Sequence, residues 1–140
     1  MPHVVGIKES DDIGGGVVPT IDPYLYSMGG TVMPDKRIED VENTLWAEIE
    51  RVKTDPVTQS ELDKALKQTR AQVAFGTETV TNQAFWLGFS EVIQDYDWFT
   101  TFLDRLALVT VEDVQRVARK YLSRDNVTVG YYLAQGTPAQ

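Results

Sequence analysis

The residues from Val109 to Tyr132 read VTVEDVQRVARKYLSRDNVTVGYY and begin with the pattern of a capped helix. Thr110 is a favourable N-cap, and Glu112 and Asp113 place negative charge in the first turn, where the helix dipole stabilises it. Apolar residues then recur at helical spacing and predict one apolar face. These residues are Val114, Val117, Ala118, Tyr121 and Leu122.

A strand pattern follows this helix. The pair Asp125 and Asn126 ends the helical pattern, and from Val127 to Ala134 apolar residues alternate with their neighbours, as in a strand with one buried face. The alternating set is Val127, Val129, Tyr131 and Leu133. A helix that leads directly into a strand indicates a mixed layer of helices and sheet, so further strands are expected elsewhere in the chain.

The composition is that of one ordinary globular domain, with 140 residues of which 42% are hydrophobic and 24% charged. The 13 basic and 21 acidic residues give a net charge of -8, which argues against nucleic acid as a partner because phosphate binding needs a basic stripe. The same charge disfavours docking on anionic lipid. The chain contains no cysteine, so disulfides, thiolate catalysis and cysteine metal sites are excluded.

No targeting or membrane signal is recognisable in the sequence. The N-terminal residues MPHVVGIKESDD lack the basic start and apolar core of a signal peptide. No apolar run approaches the roughly 18 residues that a membrane span needs. The compartment is therefore left undetermined.

Residues 1–20 are predicted to form a flexible or strand-containing segment that precedes the main domain, residues 21–140. Val4–Ile7 fits a short strand, whereas the Asp, Gly and Pro residues after it indicate loops. The three glycines at 14–16 lack the Lys-Ser/Thr of a phosphate-binding P-loop and the spaced glycines of a dinucleotide site. A flexible loop is therefore the favoured interpretation of these glycines.

The remaining chain reads as one strand and a block of helices. Tyr24–Met33 has strand character, and Gly29-Gly30 inside it suggests a bulge or a close approach of backbone. Helical spacing covers residues 38–52, 58–75 and about 79–92, with a capping box at Thr58. A short helix over residues 98–108 precedes the capped helix already described. Two strands at opposite ends of a helical block make only a marginal sheet, so the pattern indicates half of a larger unit.

Four segments of the chain carry a resemblance to a known family. They are DPYLYSMGG (residues 22–30), VTQSELDKALKQTRAQ (57–72), QAFWLGFSE (83–91) and LALVTVEDVQRVARKYLSRDNVTVG (106–130). In this order and spacing they resemble the later half of a homology domain in the pitrilysin/insulinase-type zinc metallopeptidases, the inverzincins, near the processing-peptidase branch. The resemblance runs from about Ile21 to Leu133. It implies an α+β fold in which about five helices cover an antiparallel or mixed sheet.

The resemblance also implies a function and partners. Members of this family pair two similar domains around a peptide-binding chamber, and the zinc is held by a His-x-x-Glu-His motif in the catalytic domain. This sequence has one histidine, His3, and no such motif, so we expect no catalytic residue, no metal ligand and no cofactor in this chain. The family's Gly-Leu-x-Tyr segment is absent as well. The expected role is a non-catalytic wall of the chamber that acts with the zinc-bearing domain or subunit on a peptide substrate.

Aromatic residues are the candidates for contacts with a peptide, although core packing is the favoured alternative for them. They are Tyr24, Tyr26, Trp46, Phe85, Trp86 and Phe89. An alternative function is a stand-alone interaction module that adds a peptide strand to its sheet edge. Because strands are few, we also expect the isolated chain to form a homodimer that completes its sheet.

Several acidic residues have an ordinary interpretation beside a chemical one. Glu48 and Glu50 are possible distant metal ligands, but a solvated helix face explains them better. Glu91 is either a buried acid with a raised pKa or a helix-surface residue, and the latter is favoured. Asp95 and Asp97 are typical turn and cap residues.

Overall fold

The computed structural model describes residues 10–133, which form a two-stranded hairpin followed by six helices. The strands are β1 (Ser10–Val17) and β2 (Tyr26–Val32). The longer helices are α1 (Ile38–Thr54), α2 (Gln59–Gly76), α3 (Val80–Ile93) and α6 (Val111–Tyr121). Two short helices, α4 (Tyr96–Thr100) and α5 (Phe102–Leu106), lie between α3 and α6, and a 3₁₀ turn (Arg124–Asn126) follows α6. The expected α+β half-domain is confirmed.

The hairpin contains the three glycines for which a flexible loop was expected, and that interpretation is wrong. Gly14 pairs with Gly29, Gly15 with Met28 and Gly16 with Ser27 across antiparallel strands. The strand predicted at Val4–Ile7 lies outside the described residues, as does His3. The glycines are ordered by backbone pairing with β2. Because that partner is distant in the sequence, no local pattern in residues 10–17 predicts it.

A register irregularity occurs in β1 between Ser10 and Asp12, where two steps of β1 face one step of β2. Gly29 and Gly30, where a bulge or a close approach of backbone was suggested, pair regularly with Gly14 and Ile13 and form no bulge. The Asp12 carboxylate accepts a hydrogen bond of 3.0 Å from the backbone N–H of Thr31 beside the irregularity. A side-chain acceptor thus joins the two strands where their main-chain register shifts.

The helices begin where their caps were predicted. Thr58 accepts from the backbone N–H of Glu61 (3.3 Å), and the Glu61 carboxylate accepts from the N–H of Thr58 (2.7 Å), which completes the capping box. Thr110 and Asp113 form a second box at α6. Thr79 is the cap of α3. The short helix expected over residues 98–108 is two helices instead, and the first begins after a cap at Asp95.

The core lies where α6 packs on α1. Five apolar side chains are buried among the described residues: Val41, Trp46, Ile49, Leu62 and Ala118. Gln115 and Arg119 of α6 donate hydrogen bonds to main-chain carbonyls at the end of α1, and the guanidinium of Arg124 lies 4.6 Å from the centre of the Trp46 ring. This core is small for a chain of this length, since most domains of this size bury far more apolar side chains.

The strand predicted from Val127 is not formed among the described residues, and the position of Ala134 lies outside them. Residues 127–133 make no main-chain hydrogen bond with any other described residue. The Tyr131 hydroxyl donates a hydrogen bond to the Glu42 carboxylate of α1 and so fastens this segment to the helix. A strand requires a neighbour as well as an alternating pattern, and the hairpin does not provide one here.

Candidate functional site

An apolar cavity of about 740 Å³ lies between the segment that joins the strands and the helices α2 to α5. Residues 17–24 form one wall, and side chains of the helices form the other. The Thr20 hydroxyl donates a 2.6 Å hydrogen bond to the carbonyl of Asp22 and holds a turn in the first wall. The cavity has the size and lining of a ligand pocket.

Aromatic residues dominate the cavity, and a helix cap sets their positions. The Asp95 carboxylate accepts from the backbone N–H of Trp98 at 2.8 Å and begins α4 there. This start brings Phe99 against Trp86 of α3, with ring centres 6.1 Å apart and planes 2° from parallel. Trp98 in turn lies 5.9 Å from Phe102 of α5. The lining thus contains two tryptophans and two phenylalanines from three helices, together with Tyr24.

Arg105 contacts Trp98, one of the residues of this aromatic group. Its guanidinium donates a 2.6 Å hydrogen bond to the carbonyl of Trp98 and lies 5.7 Å from the centre of the Trp98 ring. A cation over the face of an indole ring is attracted by the ring's quadrupole. Arg105 thus places a positive charge against the Trp98 ring.

The structure brings together four of the six aromatic residues chosen from the sequence, although in two separate contacts. Phe85, Trp86 and Phe89 form a cluster on α3 with ring centres 5.5 to 5.9 Å apart. Phe85 remains 61% exposed. Trp86 also lines the cavity, where Tyr24 faces it from the strand connection.

Trp46 and Tyr26 lie apart from this group. Trp46 is only 7% exposed and packs in the core, which leaves it no surface for a peptide. Tyr26 begins β2 and is half exposed. The sequence reasoning missed Phe99 and Phe102, whose spacing of three residues was the available signal, since it places residues on one side of a helical turn.

The acidic candidates take structural roles. Glu48 pairs with Arg51 at 2.8 Å and Glu50 with Lys53 at 2.6 Å along the exposed side of α1. The hydrogen bond from Arg51 to Glu48 raises the pKa of that guanidinium further above its usual range. Glu91 is on the helix surface. Within residues 10–133, no three Asp, Glu, His or Cys side chains lie close enough together to hold a metal ion.

No helix between residues 10 and 133 combines the length and apolar character needed to cross a membrane. No protein-family model matches the sequence, and none of the curated proteins compared with it matches either.

Solved structures do match the fold. A Bordetella parapertussis structure described as the "inactive peptidase domain of a putative zinc protease" has a TM-score of 0.82 and 26% identity, covering 97% of this chain and 73% of its own. A "putative zinc protease" from Bordetella pertussis Tohama I has a TM-score of 0.79 and 26% identity, covering 94% and 73%. A Helicobacter pylori protease, at 20% identity, shares the fold with a TM-score of 0.76 over 85% of this chain and 29% of its own. The chain therefore has the fold of these peptidase domains.

Proposed function

We propose that this chain is a non-catalytic portion of a zinc-dependent metalloendopeptidase of the pitrilysin/insulinase family. In this role it forms part of the peptide-chamber wall and acts together with the zinc-bearing domain or subunit. The observation that carries the proposal is the similarity to a structure described as an inactive peptidase domain.

Residues 127–133 have no main-chain hydrogen-bond partner between residues 10 and 133, which supports the proposal that they pair with another portion of the enzyme. Val127, Val129, Tyr131 and Leu133 remain 46 to 51% exposed, and Tyr132 is 97% exposed. An extended segment without main-chain partners presents a row of N–H and C=O groups on which another strand pairs. The neighbouring zinc-bearing portion is the partner we propose for it.

The proposal is tested by reconstitution. The purified chain is mixed with the zinc-bearing protein encoded nearest to its gene, and cleavage of a fluorogenic peptide library is followed with and without a chelator. We expect no cleavage by the chain alone and chelator-sensitive cleavage that rises when the two proteins are combined. Chelator-sensitive cleavage by the chain alone would overturn the proposal.

A second candidate function rests on the same segment but assigns it a different partner. A stand-alone module would pair residues 127–133 with a free peptide or with a second copy, which would give a homodimer. Sedimentation velocity at micromolar concentration separates the cases, because only self-pairing gives a dimer of the purified chain.

A proline substitution shows whether strand pairing is the mode of association in either case. Val129→Pro removes one N–H donor and should weaken association with whichever partner is found, since proline cannot complete a strand ladder. Gly130→Ala is the matched control, because a Cβ at Gly130 meets nothing within 4 Å. Equal association of the two variants would exclude pairing through this segment.

A further inference from the structure

The cavity between the strand connection and helices α2 to α5 has a distinctive charge pattern. Among the residues that line it, Asp22 is the one that carries a charge. The rest are apolar, aromatic or neutral polar side chains, so the lining itself supplies one carboxylate and no cation, while the Arg105 guanidinium, which is not part of the lining, lies 5.7 Å from the centre of the Trp98 ring. A ligand with a negative group is therefore disfavoured, and one with a positive group is favoured.

The aromatic lining favours the same charge. Tyr24, Trp86, Trp98, Phe99 and Phe102 all border the cavity, and aromatic faces attract cations while also packing against apolar groups. The contact of Arg105 with the Trp98 ring is an example within this protein. The lining thus suits a ligand that combines an apolar body with a positive nitrogen.

Neutral polar groups in the lining are available to orient such a ligand. The side-chain amides of Gln72 and Gln94 line the cavity and make no hydrogen bond that the described part of the chain records. By contrast, the hydroxyls of Thr69 and Thr77 donate to carbonyls of their own helix. The two glutamines therefore offer both a donor and an acceptor to a ligand, as does the hydroxyl of Tyr24.

We propose that this cavity binds an apolar amine, meaning a protonated nitrogen carried on an aromatic or aliphatic body. The apolar body packs among the rings of α3, α4 and α5, and the ammonium group faces Asp22 and the aromatic faces. This proposal rests on the cavity alone and is independent of the peptidase role proposed above. The amine is either a free small molecule or a side chain of a peptide.

The test uses three probes of matched shape, 4-phenylbutylamine, 4-phenylbutanol and 4-phenylbutanoate, at neutral pH. Binding is followed through the indole N–H resonances of the ¹⁵N-labelled chain, which has three tryptophans. Trp86 and Trp98 line the cavity, whereas Trp46 is buried in the core against α6 and serves as an internal control. We expect the first two resonances to shift and the third to stay in place.

The affinities should follow the charge of the probe. An exposed ion pair with a cation–π contact strengthens binding by several-fold, so the amine should bind about fivefold more tightly than the alcohol. The butanoate should bind more weakly than either. Asp22→Asn should weaken the amine about threefold and leave the alcohol unchanged. Asp104→Asn, on the exposed side of α5, is the matched control and should change neither.

Other results would overturn the proposal. They are the absence of any shift at Trp86 and Trp98 at about 10 mM probe, equal affinity for amine and alcohol, or an amine affinity that Asp22→Asn leaves unchanged. A final comparison of acetyl-Phe-Lys-amide with 4-phenylbutylamine identifies the source: tighter binding of the lysine peptide indicates a peptide ligand, and the reverse order indicates a small molecule. Acetyl-Phe-norleucine-amide is the uncharged control and should bind more weakly than the lysine peptide; equal binding of these two peptides would count against the amine site.

Discussion

The guanidinium of Arg119 donates a 2.7 Å hydrogen bond to the main-chain carbonyl of Lys53, a residue 66 positions earlier in the chain. Gln115, one turn before Arg119, donates to the same carbonyl at 3.1 Å and to that of Thr54 at 3.3 Å. The last carbonyls of a helix have no partner within the helix. Side chains of α6 therefore cap the end of α1 and hold the two helices that form the core.

Removing this cap should destabilise the fold modestly. Arg119→Ala is expected to lower the free energy of unfolding by about 1 kcal/mol, because the site is exposed and a hydrogen bond there contributes on that order. Urea denaturation followed by circular dichroism measures the change. Arg70→Ala, on the surface of α2, is the control because none of the described residues pairs with Arg70. Equal losses in the two variants would contradict the capping role.

The capping box of α2 leads to a second prediction. Thr58→Ala removes the acceptor for the Glu61 N–H and should cost about 1 kcal/mol of unfolding free energy. Ser60→Ala is the comparison, since Ser60 is in the first turn of the same helix but has no capping bond. If both substitutions lower the denaturation midpoint by the same amount, the capping box contributes no stability of its own.

The contact between Tyr131 and Glu42 predicts a dependence on alkaline pH. The hydrogen bond to Glu42 raises the pKa of Tyr131 above its ordinary value of 10.0. Because the folded pKa is raised, the stabilisation is complete below pH 10.0 and is lost as the pH rises through the folded pKa. Glu42→Ala should move the pKa of Tyr131 back toward the ordinary value, measured by the ¹³Cζ resonance of labelled tyrosine.

A suitable control for that titration is Glu91→Ala, an exposed acid on α3. It should leave the Tyr131 resonance unchanged at every pH. The attachment of residues 127–133 to α1 would be refuted if Glu42→Ala produced no change in the titration of Tyr131.

The glycines of β1 differ from one another, and substitution should reveal the difference. A Cβ on Gly15 would lie 2.9 Å from Cγ of Met28 and 3.0 Å from the carbonyl oxygen of Ser27, whereas a Cβ on Gly14 or Gly16 meets nothing within 4 Å. Gly15→Ala should therefore destabilise the hairpin. Gly14→Ala and Gly16→Ala should stabilise it by about 0.5 kcal/mol, because alanine lowers the entropy of the unfolded chain.

Amide hydrogen exchange in β2 measures these effects on the hairpin directly. Protection should fall in Gly15→Ala and rise slightly in the other two variants. The same change in all three variants would show that the contact with Met28 and Ser27 has no influence.

The sequence predicted the helices well because their signals are local. Thr58 and Thr110 cap the helices they were expected to cap, and each forms its bond within three residues. The hairpin was missed in part because Gly14 and Gly16 have no side chains from which a strand pattern is read. The strand predicted at Val127 is not formed among residues 10–133, because alternation indicates which side of a segment is apolar, not whether a partner lies beside it.

The candidate site was predictable only in outline. The aromatic cluster on α3 followed from the sequence, whereas the cavity depends on the angle between α3 and α4 and on residues 17–24. For Trp46 the favoured interpretation of core packing is correct, whereas the Arg124 guanidinium on its ring was not predictable from the sequence.

The irregularity between Ser10 and Asp12 has a consequence for how this hairpin keeps its alignment. Five of the paired positions in the hairpin are glycines. Because glycine has no side chain, these positions give one strand register little advantage over the next. Shifting β1 by one residue would turn Ile13 to the opposite side of the ribbon. The Asp12 carboxylate on Thr31 opposes that slip, so Asp12→Ala would leave the two strands freer to exchange partners between molecules.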